Sequence, residues 1–494
     1  MDYNNSNVNR NNNNKNNGFS VRCLRDLKEI MGVSRKTPFF LMDLYNMDFY
    51  HSGIHHRRAP SLIYVLALVS NECPSLFIRD THFYSPGMDQ LTLFETADKE
   101  KIILDLFQAY FDARKNKRNT INALKFEKNF EQNLFELCEE IIERRYKPKP
   151  SICFVVNKPV KREIFAADFR DRVVHHYIYN HISPVFEKSF INDSYSCRKG
   201  KGTHYGIKRL DHFIRSCSGN YSKDCYILKL DIKGYFMSIN RSLLYGKILD
   251  TLKKERNRLD FDLPLIIYLL RKTIFNNPAK NCIIKGKRAD WSGLPPTKSL
   301  FHASRNCGLP IGNLTSQLFG NIYLNEFDHF VKRDLKIRYY GRYVDDLVLV
   351  HPDRDYLKYV IPVIRQYLAD KVKLQLHMGK IYMQHFTKGC KYLGAVIKPY
   401  RIYIANRTKG NFFDAITRHN QTVRDYKPSK EEQEHFLSSM NSYLGIMRHY
   451  KSYKLRKQTI DKHLSGWWFN YVYPVRYEKF VLKRRVIRKD YITV

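Results

Sequence analysis

The sequence predicts an α+β protein organised around an antiparallel sheet. Three observations predict it. Two short runs rich in aromatic and β-branched residues, 339–343 and 347–350, flank a tight connection and read as a hairpin. A third run, 227–232, rich in Ile and Leu, reads as another strand. Helical stripes lie between and beyond them: one over 318–330, and one in which Phe436, Met440, Leu444 and Met447 recur at intervals of three or four.

Taken in order, residues 1–17 are dominated by Asn and are expected to be disordered. Residues 18–115 carry apolar runs at 39–44 and 62–69 but no pattern that bears chemistry. Phe126, Phe130, Leu134, Leu137, Cys138 and Ile141 form one apolar stripe, read as a single helix that ends before Pro148-Lys149-Pro150. Residues 151–156 read as a strand, and a basic segment over 158–172 follows. The polar, basic, Pro-containing stretch 253–306 reads as an insertion between two motifs. A basic aromatic tail runs from Trp467 to Val494.

Lys and Arg number 85 against 48 acidic residues, a formal charge of +37. Such an excess repels itself unless an anion is near, and nucleic-acid phosphates are the usual anion. The 10 Cys show no CxxC pair or regular spacing, which argues against a zinc site or a disulfide framework and fits a reducing cytosol. The longest early apolar run is too short to span a bilayer, so a cytoplasmic protein without a membrane partner is expected. The His175-His176 pair lacks metal-ligand spacing and reads as structural.

The chemistry concentrates at Tyr343-Val344-Asp345-Asp346. Two adjacent acids at a hairpin tip repel one another unless a cation neutralises them. Mg²⁺ favours such hard oxygen ligands and shares them with substrate phosphates. Nucleotidyl transfer uses two ions, about 4 Å apart, bridged by carboxylates. Asp231 ends the 227–232 run and could meet the hairpin acids on a neighbouring strand, with the Ile232 carbonyl as a further candidate ligand.

These residues resemble the reverse transcriptase family. Asp231 with Phe236 is similar to its first palm motif, and Tyr343-Val344-Asp345-Asp346 to its Tyr-x-Asp-Asp box. Gly308-Leu309-Pro310-Ile311-Gly312-Asn313-Leu314-Thr315-Ser316-Gln317 resembles the motif flanking nucleotide and template. Leu374-Gln375-Leu376-His377-Met378-Gly379-Lys380 resembles the motif that carries a lysine near the pyrophosphate. Lys391-Tyr392-Leu393-Gly394 resembles the primer grip. Lys161-Arg162-Glu163-Ile164, Phe169-Arg170-Asp171-Arg172 and Ser194-Tyr195-Ser196-Cys197-Arg198-Lys199-Gly200 resemble the motifs that supply cations to the nucleotide. The likeness spans roughly residues 116–460 with the motifs in order.

The resemblance implies a right-hand polymerase with an antiparallel palm sheet and a helical thumb. Its parts would be a disordered tail (1–17), an N-terminal accessory region (18–115), fingers (116–190), a palm with the 253–306 insertion (191–405), and a thumb with the basic tail (406–494). It implies an RNA-directed DNA polymerase taking an RNA template and dNTPs, with two Mg²⁺ ions. Asp231, Asp345 and Asp346 would hold the ions and Lys380 would assist. Arg162, Arg170, Arg172, Arg198, Phe236, Ile311, Gly312 and Gln317 would surround the nucleotide, and Tyr392, Leu393 and Gly394 would grip the primer. Phe236 would be a steric gate against ribonucleotides, and Ile311 stands where a Gln is frequent in the family. The Ile-Gly-x-x-x-Ser-Gln form at 311–317 is similar to bacterial diversity-generating enzymes and to bacterial enzymes linked to phage defence. The added N-terminal region, insertion and tail suit an antiviral defence enzyme holding a dedicated structured RNA. The alternatives are targeted hypermutation with a small helical accessory protein, a homo-oligomer, an RNA polymerase, or a non-catalytic RNA-binding protein.

Overall fold

The computed structural model describes residues 90–115, 120–157, 160–423 and 426–483. The Asn-rich start, the apolar runs before residue 90, and Lys158, Arg484 and Arg485 lie outside the described residues. The chain opens with α1 (Gln90–Arg114), α2 (Ile121–Glu127) and α3 (Phe130–Ile142). The stripe expected on one helix is thus divided between two. Asn129 leaves the helical region, and the Asn133 side-chain amide donates to the Phe126 carbonyl (2.9 Å), satisfying an acceptor at the end of α2. Phe126, Leu134, Leu137, Cys138 and Ile141 still enter one core.

Strand β1 (Ser151–Val156) pairs antiparallel with β2 (Arg162–Ala166). Helix α4 (Phe169–Glu187) starts where the Asp168 carboxylate accepts from the Arg170 amide (3.1 Å), an N-cap. There follow α5 (Thr203–Cys217), β3 (Tyr226–Asp231), the single turn α6 (Tyr235–Ser238), α7 (Arg241–Lys254), α8 (Leu263–Ile274) and β4 (Cys282–Ile284). The 253–306 segment is woven into the fold. Helix α8 buries Leu265, Ile266, Leu269, Leu270 and Ile274 in the main core, and β4 pairs parallel with β1. The buried Glu163 carboxylate on β2 accepts from Trp291 Nε1 (2.7 Å), Ser299 Oγ (2.8 Å) and the Leu300 amide (2.6 Å), holding the rest of the segment down.

The expected helix over 318–330 is also two helices, α9 (Leu314–Tyr323) and α10 (Asn325–Arg333), separated at Leu324. Then come β5 (Tyr339–Tyr343), β6 (Asp346–His351), α11 (Arg354–Val372), β7 (Tyr382–His385), β8 (Cys390–Tyr392), β9 (Ala395–Lys398) and β10 (Arg401–Ile404). The central sheet has the order β5-β6-β3-β7, antiparallel throughout. It is buried on both faces. Leu347 and Leu349 of β6 enter the main core, while Val348 and Val350 enter a second cluster with Ile207, Leu210 and Phe213 of α5. A sheet covered on both sides favours continuous apolar runs; 347–350 is one, and 227–232 is broken only by Lys229 and Asp231.

The C-terminal part is α12 (Asn406–Thr422), α13 (Lys430–Met447), α14 (Tyr453–His463) and a hairpin of β11 (Val472–Val475) and β12 (Lys479–Leu482). Phe436, Met440, Leu444 and Met447 of α13 are all buried. The tail read as a nucleic-acid arm is in part core. Trp468 is fully buried, stacks on Phe436 (4.1 Å between ring centroids) and donates from Nε1 to the His419 carbonyl, whereas Trp467 is exposed. Among the described residues no helix is long and apolar enough to cross a membrane.

Two glycines in turns, after β3 and between β8 and β9, are fixed by geometry. Gly234 has φ +55, and a Cβ there would stand 2.8 Å from the Thr297 carbonyl oxygen. Gly394 has φ +87 with nothing nearer than 4.0 Å. Alanine at either position should lose about 1–2 kcal/mol through its backbone conformation. Gly234→Ala should lose visibly more than Gly394→Ala, because a backbone oxygen must also move. Urea unfolding midpoints of the two variants check the order.

Candidate active site

Strand pairing brings the predicted acids together. Asp231 ends β3 and stands directly opposite Asp346, the first residue of β6. Like charges directly opposite on antiparallel strands are destabilising, so the register holds a repulsive pair in place. Tyr343 pairs with Asp346, leaving Val344 and Asp345 as a two-residue loop. The Asp345 carbonyl accepts from the Ile232 amide (3.3 Å), which ties the loop to the end of β3. Ile232 is itself buried.

The electrostatics follow from this crowding. Burial, then Asp346, then Asp231 push the Asp345 carboxyl up to about 7. Asp346 is also raised, chiefly by burial, with Lys229 pulling it back down and Asp231 adding to the rise. Lys380, on the short turn after Leu376, places Nζ 2.9 Å from Asp231 Oδ2. Lys229 lies two residues before Asp231 on the same strand face and anchors its Nζ on the Lys391 carbonyl (2.8 Å). The site thus already draws in ammonium groups. Its donors, three carboxylates whose charges oppose one another, have the chemistry that suits a divalent cation. Among the described residues, no group of three His, Cys, Asp or Glu side chains forms a ready cage.

The other predicted residues have these places in the fold. Phe236 on α6 is half-buried, its ring centroid 5.3 Å from that of Tyr235. Tyr235 is buried and donates to the Gly320 carbonyl (2.5 Å), so of the two rings Phe236 is the more exposed. Ile311 accepts at its carbonyl from the Phe165 amide (2.8 Å) and, like Phe236, packs against the small cluster of Cys153, Phe165, Met237 and Leu300. Gly312 has φ +123, and a Cβ would crowd Ile164 and the Phe165 carbonyl on β2. Gln317 is half-buried in the first turn of α9, Arg162 is exposed on β2, and Arg172 donates from Nε to the Ala167 carbonyl (2.9 Å). Tyr392, Leu393 and Gly394 form the β8–β9 turn, with Leu393 and Gly394 both at positive φ. The Tyr392 hydroxyl is buried without a hydrogen-bond partner among the described residues, and the Asp346 charge, after burial, helps hold its pKa high.

Two predicted nucleotide ligands are drawn elsewhere. Arg170 is buried and pairs with Glu140. Arg198 pairs with Glu187 (2.9 Å) and donates to the carbonyls of Ile191 (2.7 Å) and Ser194 (3.0 Å). Both guanidinium groups satisfy internal acceptors in this structure. His175 is buried, its Nδ1 has no partner among the described residues, and burial pushes its pKa down to about 3.

Sequence reading passed over Arg342 and Asp328. Arg342, within β5, is fully buried and forks onto Asp328 of α10 from Nε (2.8 and 3.0 Å) and Nη2 (2.7 Å). A lone arginine in a strand run next to two acids was the available signal. Lys229 was likewise legible, because period-two alternation puts it on the face of Asp231.

Residues 147–397, more than half of the chain, match the family model described as reverse transcriptase (RNA-dependent DNA polymerase). Protein YkfC of Escherichia coli strain K12 is 24% identical over 292 residues, covering 52% of this chain and 69% of YkfC. Among solved structures, the C-terminally truncated apo telomerase of Candida tropicalis aligns at 15% identity and a TM-score of 0.38, over 54% of this chain and 59% of that one. The telomerase of Candida albicans, bound to the TWJ fragment of telomeric RNA, aligns at 12% identity and a TM-score of 0.39, over 65% and 57%. The chain spans less than two thirds of either telomerase chain.

The raised Asp345 carboxyl has a consequence for stability. The folded protein retains this proton between 3.8, the ordinary value, and about 7, whereas the unfolded chain releases it. The stability this group contributes is therefore present below the ordinary value and is lost as pH rises through about 7. With a chelator present, Asp345→Asn should melt at a higher temperature than wild type at pH 8, and the gap should close toward pH 4. A gap that is constant with pH would mean that the carboxyl is not perturbed by its neighbours.

Proposed function

The chain belongs to the reverse transcriptase family and has its right-hand polymerase fold; from that premise we propose that Asp231, Asp345 and Asp346 are the metal-holding acids of its RNA-directed DNA synthesis. One observation carries this reading: Asp231 and Asp346 stand opposite in the β3–β6 register, with Asp345 on the adjoining loop tied to Ile232. Asp231 and Asp345 would hold two Mg²⁺ ions, with Asp346 supporting and the Ile232 carbonyl as a further ligand. The bound ions would supply activation of the primer 3′-hydroxyl and charge neutralisation at the leaving pyrophosphate. Lys380 would exchange its partner Asp231 for the substrate phosphates once the cations arrive.

On this reading Arg162 and Arg172 are the cations for the triphosphate, and Ile311, Gly312 and Gln317 border the nascent pair. Tyr392, Leu393 and Gly394 form the primer grip. The fingers would be residues 116–190, the palm 191–405 with 253–306 folded back onto the β1 sheet, and the thumb 406–494. The charge of +37, the woven 253–306 segment and the chain outside the family match add surface beyond a minimal polymerase. We take that surface to hold a dedicated structured RNA in phage defence. Sequencing the RNA and any DNA that co-purify with the protein tests it; a template and variable-repeat pair in the bound sequence would point to diversity generation instead.

Asp345→Asn should abolish primer extension with Mg²⁺ while leaving RNA affinity within about threefold, because phosphate contacts made by Lys and Arg dominate such binding. Wild-type extension by that variant refutes the acid assignment.

Sugar choice is the second test. Phe236 lies five residues after Asp231, and the half-exposed ring would stand where a 2′-hydroxyl must go. Displacing a reacting group by about 1 Å can slow a reaction on the order of 100-fold. Wild type should prefer dATP to ATP by at least that order, and Phe236→Ala should narrow the ratio. A ratio unchanged by Phe236→Ala would make the ring a packing residue only.

A further inference from the structure

Both acids of the Tyr343–Asp346 hairpin depend on a turn built against its own preference. Val344 has φ +56, and Asp345 is not at positive φ. That is the pattern of a type II′ turn, whose first position favours glycine. A β-branched residue in the left-handed region is an outlier that persists where its surroundings over-determine it.

The surroundings here are specific. Arg342 Nη1 donates to the Val344 carbonyl (3.1 Å) and to Asn321 Oδ1 (3.3 Å). Its Nη2 reaches Asp328 Oδ2 (2.7 Å) and Ser194 Oγ (3.2 Å), and its Nε faces both Asp328 oxygens. Asp328 is fully buried and also accepts from the Tyr340 hydroxyl (2.6 Å). The other loop carbonyl, that of Asp345, is held by the Ile232 amide. Each carbonyl of the two-residue loop therefore has a fixed donor, one from a buried side chain and one from the neighbouring strand.

We propose that Arg342, held by Asp328, is a positioning residue for DNA synthesis. By fixing the Val344 carbonyl it fixes the plane of the Val344–Asp345 peptide, and with it the direction in which the Asp345 carboxylate points. This rests on the reading of Asp345 as a metal-holding acid. Lysine cannot replace it: an ammonium could still meet Asp328, but it lacks the planar fork that reaches the loop at the same time.

The test uses the full chain on a primed RNA template, with melting temperature and RNA affinity measured alongside. Arg342→Lys should lower extension on the order of 100-fold and raise the Mg²⁺ concentration needed for half-maximal rate. Adding Val344→Gly to that variant should restore the rate by about tenfold or more, since glycine takes a positive φ unaided and the strain it relieves corresponds to a factor of that size. Val344→Ala, which keeps a Cβ and so only part of that freedom, should restore clearly less than glycine does. Arg342→Lys working at the wild-type rate overturns the proposal, and so does a loss that glycine leaves unrepaired. If Arg342→Lys does not fold, the near-isosteric Asp328→Asn is read in the same way; if neither folds, the pair is structural and the proposal fails. A wild-type rate that survives Asp345→Asn removes the acid assignment itself. A rate abolished by Asp345→Asn but indifferent to Arg342→Lys removes this proposal alone.

Discussion

A guanidinium sealed from water must be matched by charge and by acceptors, and around Arg342 that requirement organises several elements at once. Removing an ion from water is strongly unfavourable unless its partners are complete. Asp328 supplies the opposite charge from α10, Asn321 an acceptor from α9, Ser194 one from the segment before α5, and Val344 one from the hairpin itself. Burial alone would lower the Arg342 pKa, but Asp328 outweighs it and the net shift is upward. The main chain repeats the connection: the Arg342 amide donates to the Asp193 carbonyl (2.9 Å), and the Tyr195 amide donates to the Arg342 carbonyl (2.9 Å). Gly341 makes room for it, since a Cβ there would fall 2.2 Å from the Tyr195 hydroxyl. The hairpin with the acids is therefore braced from beneath by groups that never reach the solvent.

Above that brace the polarity reverses. The acids form a small negative centre in a strongly positive chain, with Lys229 and Lys380 at its border. A centre of this kind can take a hard cation, while the surrounding field attracts a polyanion. Opposite charges, Lys229 and Asp231, thus stand two residues apart on the same strand.

The parts of this arrangement that are written in periodicity were legible in the sequence. Residues 347–350 announce a strand as a continuous apolar run and 227–232 as one broken by Lys229 and Asp231, while the tyrosines of 339–343 and the β-branched residues of 151–156 mark theirs by composition. Asp231, Asp345 and Asp346 stand out as acids at the ends of such runs. What was not legible depends on partners far away in the chain. Nothing local separates Arg170, which turns inward to Glu140, from Arg162, which stays exposed on its strand. The 253–306 stretch looked peripheral because its mean polarity masks Leu265, Leu269 and Leu270 on one helix face. Trp467 and Trp468 are adjacent and chemically alike, yet one is exposed while the other stacks on Phe436 of α13 and donates to the His419 carbonyl of α12. Helix breaks at Asn129 and Leu324 interrupt stripes that remain continuous in space, so a pattern read by facing overestimates helix length.

The place of β3 in the central sheet also bears on how the chain is made. Both of its neighbours, β6 and β7, come more than a hundred residues later. A nascent chain leaving the ribosome therefore exposes β3 with two open edges until β6 and then β7 emerge, a window in which strand edges are prone to mispairing. Lys229, in the middle of that strand, is a charge of the kind that discourages edge-to-edge association. The residue that later borders the acids would thus first serve as a guard during biosynthesis, and the acidic centre cannot exist in any truncated product that stops short of the hairpin.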